Sequence, residues 1–301
     1  MAFNQSTRSP IVGSASRTNA KGTAQLAEVL VFVDDQKEAP SVLEFAALVA
    51  ADNGARLKGV FAEPAPVYTA AETFARGALI PEVIKSHALH LKNVEERLRS
   101  LFEEVVHRHR ILQSEWRSLP YWSSEVAKYA YYADVLVIGR PMIRQVSQRT
   151  GLAETLILNS GRPVILVPPG AAVSRARRIL VGWKETREAV RALEQAVPLL
   201  ARADSVEVLI VDDNHRQGGN RQGLGSQVAS HLTYHGVRVE VKLVSSEKDD
   251  IGDILLSEAV EFGADLLVMG AYGHFELHEW VFGGVTRLVL SQAHLAVLMC
   301  R

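Results

Sequence analysis

The sequence predicts an α/β protein built from two consecutive doubly wound units, each with an open parallel sheet of five strands. Short, fully apolar runs alternate with longer segments whose apolar residues recur at helical spacing, which is typical of parallel strands covered by helices on both faces. The chain of 301 residues is long enough for two domains. The same order of elements occurs twice, so the two units should be related by an approximate twofold axis.

The first unit begins with the apolar run from Glu28 to Asp34, which predicts a strand buried on both faces. A helix should follow, because Pro40 suits a first helical turn and Gly54 suits a helix end. The later elements are a strand at Leu57–Phe61, a helix at Pro81–His109, a strand at Ile111–Trp116, a helix at Tyr121–Tyr132, a strand at Val135–Gly139, a helix at Gly151–Ser160 and a strand at Val164–Val167.

The second unit repeats this plan. Its elements are a strand at Arg178–Trp183, a helix at Glu188–Leu200, a strand at Val206–Val211, a helix at Leu224–His235, a strand at Val237–Val244, a helix at Ile251–Phe262, a strand at Asp265–Gly270, a helix at Gly284–Gln292 and a strand at Leu295–Cys300. The clearest internal match pairs Asp134-Val-Leu-Val-Ile-Gly139 with Asp265-Leu-Leu-Val-Met-Gly270. We therefore expect domains at residues 28–169 and 178–301, a linker at 170–177, and a disordered tail at 1–27.

Composition excludes several classes of protein. The net charge is −1 and the charges are spread along the chain, so we expect no nucleic-acid partner. No apolar run is long enough to cross a bilayer, so we expect no membrane span. The single cysteine, Cys300, lies in an apolar run, which favours a buried side chain in a reducing, cytoplasmic compartment.

The segment after the fourth strand of the second unit is rich in glycine. Gly270 and Gly273 are followed, after nine residues, by Gly283 and Gly284 at a predicted helix start. Glycines let backbone amides approach phosphate oxygens, and a helix start favours an anion. Glycines after a strand also form ordinary turns, so the pattern alone leaves both interpretations open.

The spacing Gly-x2-Gly-x9-Gly resembles the ATP-binding signature of the universal stress protein family, and the resemblance covers two copies after residue 27. It implies an adenine nucleotide alpha hydrolase-like fold that binds ATP or ADP, with Mg²⁺ accompanying the nucleotide. It also implies that the four glycines hold the phosphates and that Val211 lines the adenine pocket.

The second unit departs from the family pattern at two positions. Gly284 stands where the family has Ser or Thr, which removes a hydroxyl donor but keeps a backbone N–H. Lys184 stands where an Asp that contacts adenine is expected. The neighbouring Trp183 is a candidate for stacking on the base, although a tryptophan at a strand end more commonly packs in the core.

The first unit shows the reverse pattern. Asp34 fills the Asp position, but Gly139 has no second glycine after it, and the loop to Gly151 is shorter. Pro141 would also remove one N–H donor from this loop. We therefore expect a degenerate site in the first unit.

Two histidine pairs have the four-residue spacing that places two imidazoles on one helix face, His231 with His235 and His274 with His278. The sequence shows no further ligand beside either pair. We therefore interpret them as solvated histidines and expect no metal site.

These observations lead to a first hypothesis of a stress-response regulator that binds ATP or ADP in its second domain, without catalytic residues and with at most slow hydrolysis. The alternative is an interaction protein of the same fold that binds no nucleotide. A true phosphotransferase or hydrolase ranks last, because no base or acidic metal-binding cluster is recognisable. The last strands of the two units, ending at Val167 and Cys300, could pair edge to edge within one chain, between chains as a homodimer, or both.

Overall fold

A computed structural model describes residues 25–35, 37–63, 80–120, 124–140, 152–171, 174–212, 221–246, 250–271 and 284–301. The first half contains β1 (Glu28–Val33), α1 (Ala39–Asn53), β2 (Arg56–Glu63), α2 (Ile80–Arg108), β3 (Ser114–Pro120), α3 (Ser124–Ala130), β4 (Val135–Gly139), α4 (Leu152–Asn159) and β5 (Val164–Val167). The second half contains β6 (Arg178–Trp183), α5 (Arg187–Leu200), β7 (Ser205–Asp212), α6 (Arg221–Tyr234), β8 (Glu240–Ser245), α7 (Ile251–Phe262), β9 (Leu266–Gly270), α8 (Gly284–Gln292) and β10 (Ala296–Cys300).

The strands form one sheet in the order β3-β2-β1-β4-β5-β10-β9-β6-β7-β8. Within each half all neighbouring strands are parallel, as predicted. The strand order of the second half is the mirror sequence of the first, which is the pattern that a twofold axis between β5 and β10 produces. The α/β fold with two doubly wound units is therefore confirmed.

Helices cover both faces of the sheet. Buried residues of α1, α2, α5 and α6 belong to one core cluster, and we call this side of the sheet face A. Buried residues of α3, α4, α7 and α8 belong to the other cluster, on face B. Strands such as β5, with all four residues buried, are apolar on both sides because each side packs against helices.

The two halves meet where β5 and β10 pair antiparallel, with Ile165 opposite Leu298. β5 also pairs with β4, and β10 also pairs with β9, so both strands have a neighbour on each side. The predicted edge pairing therefore occurs inside one chain. A homodimer through these same strands, which the sequence also allowed, was a wrong expectation, because no hydrogen-bonding edge of either strand is left open.

The two halves also share an equivalent pair of side-chain hydrogen bonds. The carboxylate of Asp134 accepts from the backbone N–H groups of Ala27 and Glu28 at the start of β1. That of Asp265 accepts from Arg177 and Arg178 at the start of β6. An acid before the fourth strand of each half thus fixes the start of its central strand.

The third strand of each half begins later than predicted, at Ser114 and not Ile111, and at Glu240 and not Val237. In the second half Gly236 has φ 77° and the N–H of Val237 bonds to the carbonyl of Leu232. This is a Schellman motif, in which an apolar residue just past a helix packs back on it. The apolar residues that suggested strand therefore belong to the helix ends.

None of the helices in the described ranges combines the length and the apolar character that a membrane span requires.

Candidate functional site

The strand order of the second half reverses at β6, which has β7 on one side and β9 on the other. The chain leaves β6 into α5 on face A and leaves β9 towards α8 on face B. The two connections therefore diverge at the carboxyl ends of these strands, and doubly wound folds bind ligands in the crevice at such a point. The predicted positions Trp183, Lys184, Val211 and Gly270 all lie at this edge.

Gly270 ends β9 against the first turn of α5. A Cβ atom at this position would lie 2.5 Å from the backbone nitrogen of Ala189 and 2.7 Å from the carbonyl carbon of Glu188. Such distances are far inside van der Waals contact, so only glycine lets helix and strand approach this closely. The close approach accounts for a glycine here without any ligand, while the prediction that it holds phosphate stays a prediction.

Helix α5 begins at the same edge of the sheet. Thr186 is its N-cap, and its hydroxyl accepts from the N–H of Ala189 at 3.3 Å. This bond uses one of the free donors of the first turn. The α5 start is thus partly satisfied by its own chain, although it lies beside the crevice.

Helix α8 begins at Gly284, which is exposed, and no heavy atom of the described residues lies within 4 Å of the place a Cβ would occupy. Because α8 connects two parallel strands, its N-terminus lies at the carboxyl edge of the sheet. The backbone N–H groups and the dipole of a helix start favour an anion. The predicted phosphate positions Gly273 and Gly283 lie outside the described residues.

The predicted adenine-pocket residues do not share one face. Val211 packs with the face B cluster, on the side of α8. Trp183 is partly buried against the face A cluster, on the side of α5. Trp183 thus has the packing role that is usual for a tryptophan at a strand end, and the structure does not bring its ring to the side where Val211 lies. Lys184 follows directly and is exposed.

The corresponding edge of the first half is built differently. Asp34 follows β1 and Gly139 ends β4, so the structure brings these two positions to neighbouring strands. Among the described residues, a Cβ on Gly139 would touch the side chain of Val42 alone, at 3.4 Å. Gly151, the last residue predicted for this degenerate site, lies outside the described residues.

Sequence reasoning missed the part that Arg140 plays next to this edge. Its guanidinium Nη1 donates a hydrogen bond to the carbonyl oxygen of Ala293, at 2.6 Å, in the other half of the molecule. Burial lowers the pKa of Arg140. Nothing in the local pattern indicates this contact, since its partner lies across the junction of β5 and β10.

Comparison with known proteins shows which families and folds this chain resembles. Residues 175–301 match the model of the universal stress protein family. No curated protein sequence matches the chain. Several solved structures do, and three of them are matched over more than nine tenths of both chains.

A universal stress protein from Archaeoglobus fulgidus superposes with a TM-score of 0.68 at 17% identity, covering 92% of this chain and 97% of that chain. A protein from Pseudomonas aeruginosa described as a universal stress protein gives a TM-score of 0.52 at 13% identity, covering 91% of this chain and 93% of that chain. Another P. aeruginosa protein, of unknown function, gives 0.50 at 14% identity, covering 91% and 92%. At these identities the similarity shows the fold alone.

Residues 175–301 therefore match the universal stress protein family, and the first half of the chain repeats the fold of that matched half.

Proposed function

We propose that this protein is a stress-response regulator that binds an adenine nucleotide, ATP or ADP, in its second half, with at most slow hydrolysis. The observation that carries the proposal is the position of the α8 start. It lies at the carboxyl edge of the sheet, on the face where Val211 packs, in the segment that matches the family. An exposed helix start suits the phosphates of a nucleotide.

In this proposal different residues bind different parts of the nucleotide. Amides at Gly284, Gly283 and Gly273 bind the phosphates, and Val211 contacts the adenine. Lys184 can only donate hydrogen bonds, so it cannot accept from the adenine amino group as the family's Asp does. Its ammonium group instead adds positive charge next to the phosphates. Mg²⁺ would be carried by the phosphate oxygens, as is usual for this ion with nucleotides.

The exposed position of Gly284 offers a clean test. Gly284→Asp adds a carboxylate that a helix start tolerates well, so folding should be preserved. The same carboxylate repels phosphate, and we expect calorimetric titration of ATP to lose at least about tenfold in affinity, or about 1.4 kcal/mol. The matched variant Gly284→Ser supplies the hydroxyl typical of the family and should bind as tightly as the wild type or more tightly.

Two outcomes would contradict the proposal. The first is a wild-type protein that releases no adenine nucleotide on denaturation and gives no heat with ATP or ADP. The result would favour the alternative, an interaction protein of this fold that needs no nucleotide. The second is equal binding by Gly284→Asp and the wild type, which would remove the α8 start from the site.

We further propose a cytoplasmic location and a homodimer that does not use β5 or β10. The outer strands β3 and β8 are the two ends of the sheet, so they are the strand edges left for a second copy. Light scattering of the purified chain should give about twice its mass of 33.0 kDa. A monomeric mass would refute the dimer without affecting the nucleotide site.

A further inference from the structure

Helices α5 and α6 lie side by side on face A, and three side chains meet between them. These are Glu194 from α5 and His231 and His235 from the end of α6. The Nε2 atom of His231 is 2.7 Å from a carboxylate oxygen of Glu194. The two imidazole rings have centroids 4.8 Å apart in an edge-on arrangement. One ligand atom from each residue lies within 4.8 Å of the other two.

The short contact between His231 and Glu194 does not satisfy the histidine. The Nε2 atom is buried, and within the part of the chain that the structure describes it has no hydrogen-bond partner, so its contact with Glu194 is an ion pair only. A buried nitrogen without a partner is costly in a folded protein. A cation bound between nitrogen and oxygen would remove that cost, because both atoms would become ligands.

The residue types and the geometry fit a transition-metal ion. Two histidines and one carboxylate are a common ligand set for Zn²⁺, with a fourth position left for water. Tetrahedral bonds of about 2.0–2.1 Å place ligand atoms about 3.3 Å apart. Contacts of 2.7 Å and at most 4.8 Å lie on either side of this value, and the side chains of Glu194 and His235 are exposed and free to rotate towards it.

The location adds a second favourable factor. His235 lies just past the last residue of α6, and its N–H bonds back to the carbonyls of His231 and Leu232. The C-terminal end of a helix carries partial negative charge, which stabilises a cation. The carboxylate of Glu194 contributes a full negative charge on the opposite side.

The first half contains a natural comparison. Glu44 and Glu194 each lie eleven residues after the central strand of their half ends, at Val33 and at Trp183. The N–H of His109 bonds to the carbonyl of Val105, as that of His235 bonds to His231. His109 therefore corresponds to His235.

In the first half the residue at the place of His231 is Val105, which is buried in the core. His109 and Glu44 form an ordinary hydrogen bond of 2.6 Å, and Arg108 adds an ion pair to the same carboxylate. The first half thus has one imidazole and a satisfied carboxylate, where the second half has two imidazoles and an unsatisfied nitrogen.

We propose that Glu194, His231 and His235 form a binding site for a divalent transition-metal ion, with Zn²⁺ as the expected occupant, and that the first half has no counterpart. The ion would join α5 to α6 and keep one position open to solvent.

The test uses the full chain after treatment with a chelator. Calorimetric titration should give one Zn²⁺ per chain, and Co²⁺ should develop the visible absorption of a low-coordinate nitrogen and oxygen site. His235→Ala and Glu194→Gln change exposed side chains, so both variants should fold, which circular dichroism will verify. Each should weaken Zn²⁺ binding by about 100-fold or more.

The matched controls are His109→Ala and Glu44→Gln in the first half, which should bind Zn²⁺ as the wild type does. A second check uses stability: Zn²⁺ should raise the unfolding midpoint of the wild type but not that of His235→Ala. The proposal is wrong if the wild type is not saturated by about millimolar Zn²⁺. It is also wrong if the ion is lost in His278→Ala and retained in His235→Ala, since the other histidine pair would then be the site.

Discussion

After β4 in the first half comes Arg140, whereas after β9 in the second half comes Ala271. Their backbones behave alike, since the N–H of Arg140 bonds to Val167 at 2.7 Å and that of Ala271 bonds to Cys300 at 2.9 Å. Their side chains do not. Ala271 is fully buried in the core of its own half, while Arg140 reaches across the sheet junction to Ala293.

The hydrogen bond of Arg140 connects the first half to the C-terminal end of α8. Ala293 directly follows α8, and its N–H still bonds to Val289 within the helix. A guanidinium at this carbonyl stabilises the C-terminal end of α8 through hydrogen bonding and the helix dipole. The edge of the first half thus supports the helix whose other end is the proposed phosphate site. In our proposal one copy of the fold binds the ligand, and the other copy supports the far end of the helix that the ligand contacts.

The closing glycines of β4 and β9 offer the sharpest test of this comparison. In Gly270→Ala the new Cβ would clash with the backbone of Ala189 and Glu188, so α5 must move. Overpacking against a backbone costs about 3 kcal/mol of unfolding free energy. In Gly139→Ala the described neighbour of the new atom is the side chain of Val42 at 3.4 Å, and a loss below about 1 kcal/mol is expected.

Urea unfolding followed by circular dichroism measures both variants. Equal losses of unfolding free energy would mean that the two strand ends are packed alike. The close approach of Gly270 to α5 would then make no extra contribution to stability. If Gly270→Ala is strongly destabilised, weaker nucleotide binding by this variant could result from the shift of α5 and would not show that Gly270 binds phosphate, because α5 begins beside the proposed site.

The bond across the junction can be removed with Arg140→Met, which keeps most of the aliphatic chain. The Ala293 carbonyl then loses a charged donor in a half-buried place, and we expect a loss of about 2 kcal/mol in unfolding free energy. Arg178→Met is the matched control. The guanidinium of Arg178 also bonds to a carbonyl at a helix end, that of Phe262, but this contact is exposed and lies within one half.

We expect the control to lose about 0.5 kcal/mol, in line with exposed charged contacts. Thermal unfolding in several salt concentrations will separate the two variants, because screening affects the exposed contact more. A loss in Arg140→Met no larger than that in Arg178→Met would show that the junction does not depend on the first-half edge.

The sequence predicted the fold well because its signals are local and repeated. Elements such as β4, β5 and α7 have the predicted limits, since each is an apolar run or an amphipathic stretch bounded by glycine, proline or acid. The third strands were placed too early, because an apolar residue after a helix can close a Schellman motif as well as begin a strand.

The sequence predicted which strand ends meet at one edge of the sheet, and that they bind a ligand stays a prediction. Strand order placed Val211, Lys184 and Gly270 at one edge, which needs only the repeat and the rule for doubly wound sheets. The packing of Gly270 on α5, the bond from Arg140 to Ala293, and the meeting of Glu194 with His231 each join residues distant in sequence. No single-sequence pattern contains such pairs, although the repeat does show that Glu194 and Glu44 are equivalent.

The smallest expected difference concerns the acids that fix the central strands. A single oxygen of Asp134 accepts both N–H groups, from Ala27 at 2.6 Å and from Glu28 at 3.0 Å. Asp265 uses both oxygens, one for Arg177 at 2.9 Å and the other for Arg178 at 3.0 Å. An asparagine retains one acceptor oxygen and replaces the other with an NH₂ donor.

Asp134→Asn can therefore keep both bonds, weakened only by the loss of charge, whereas Asp265→Asn must set a donor against a donor. We expect Asp265→Asn to lose about 1 kcal/mol more unfolding free energy than Asp134→Asn. Urea midpoints of the two variants measured side by side will decide. If Asp134→Asn loses as much unfolding free energy as Asp265→Asn, then the charge of the carboxylate matters more than the number of acceptor oxygens. The two halves would then be equivalent at this end of the sheet.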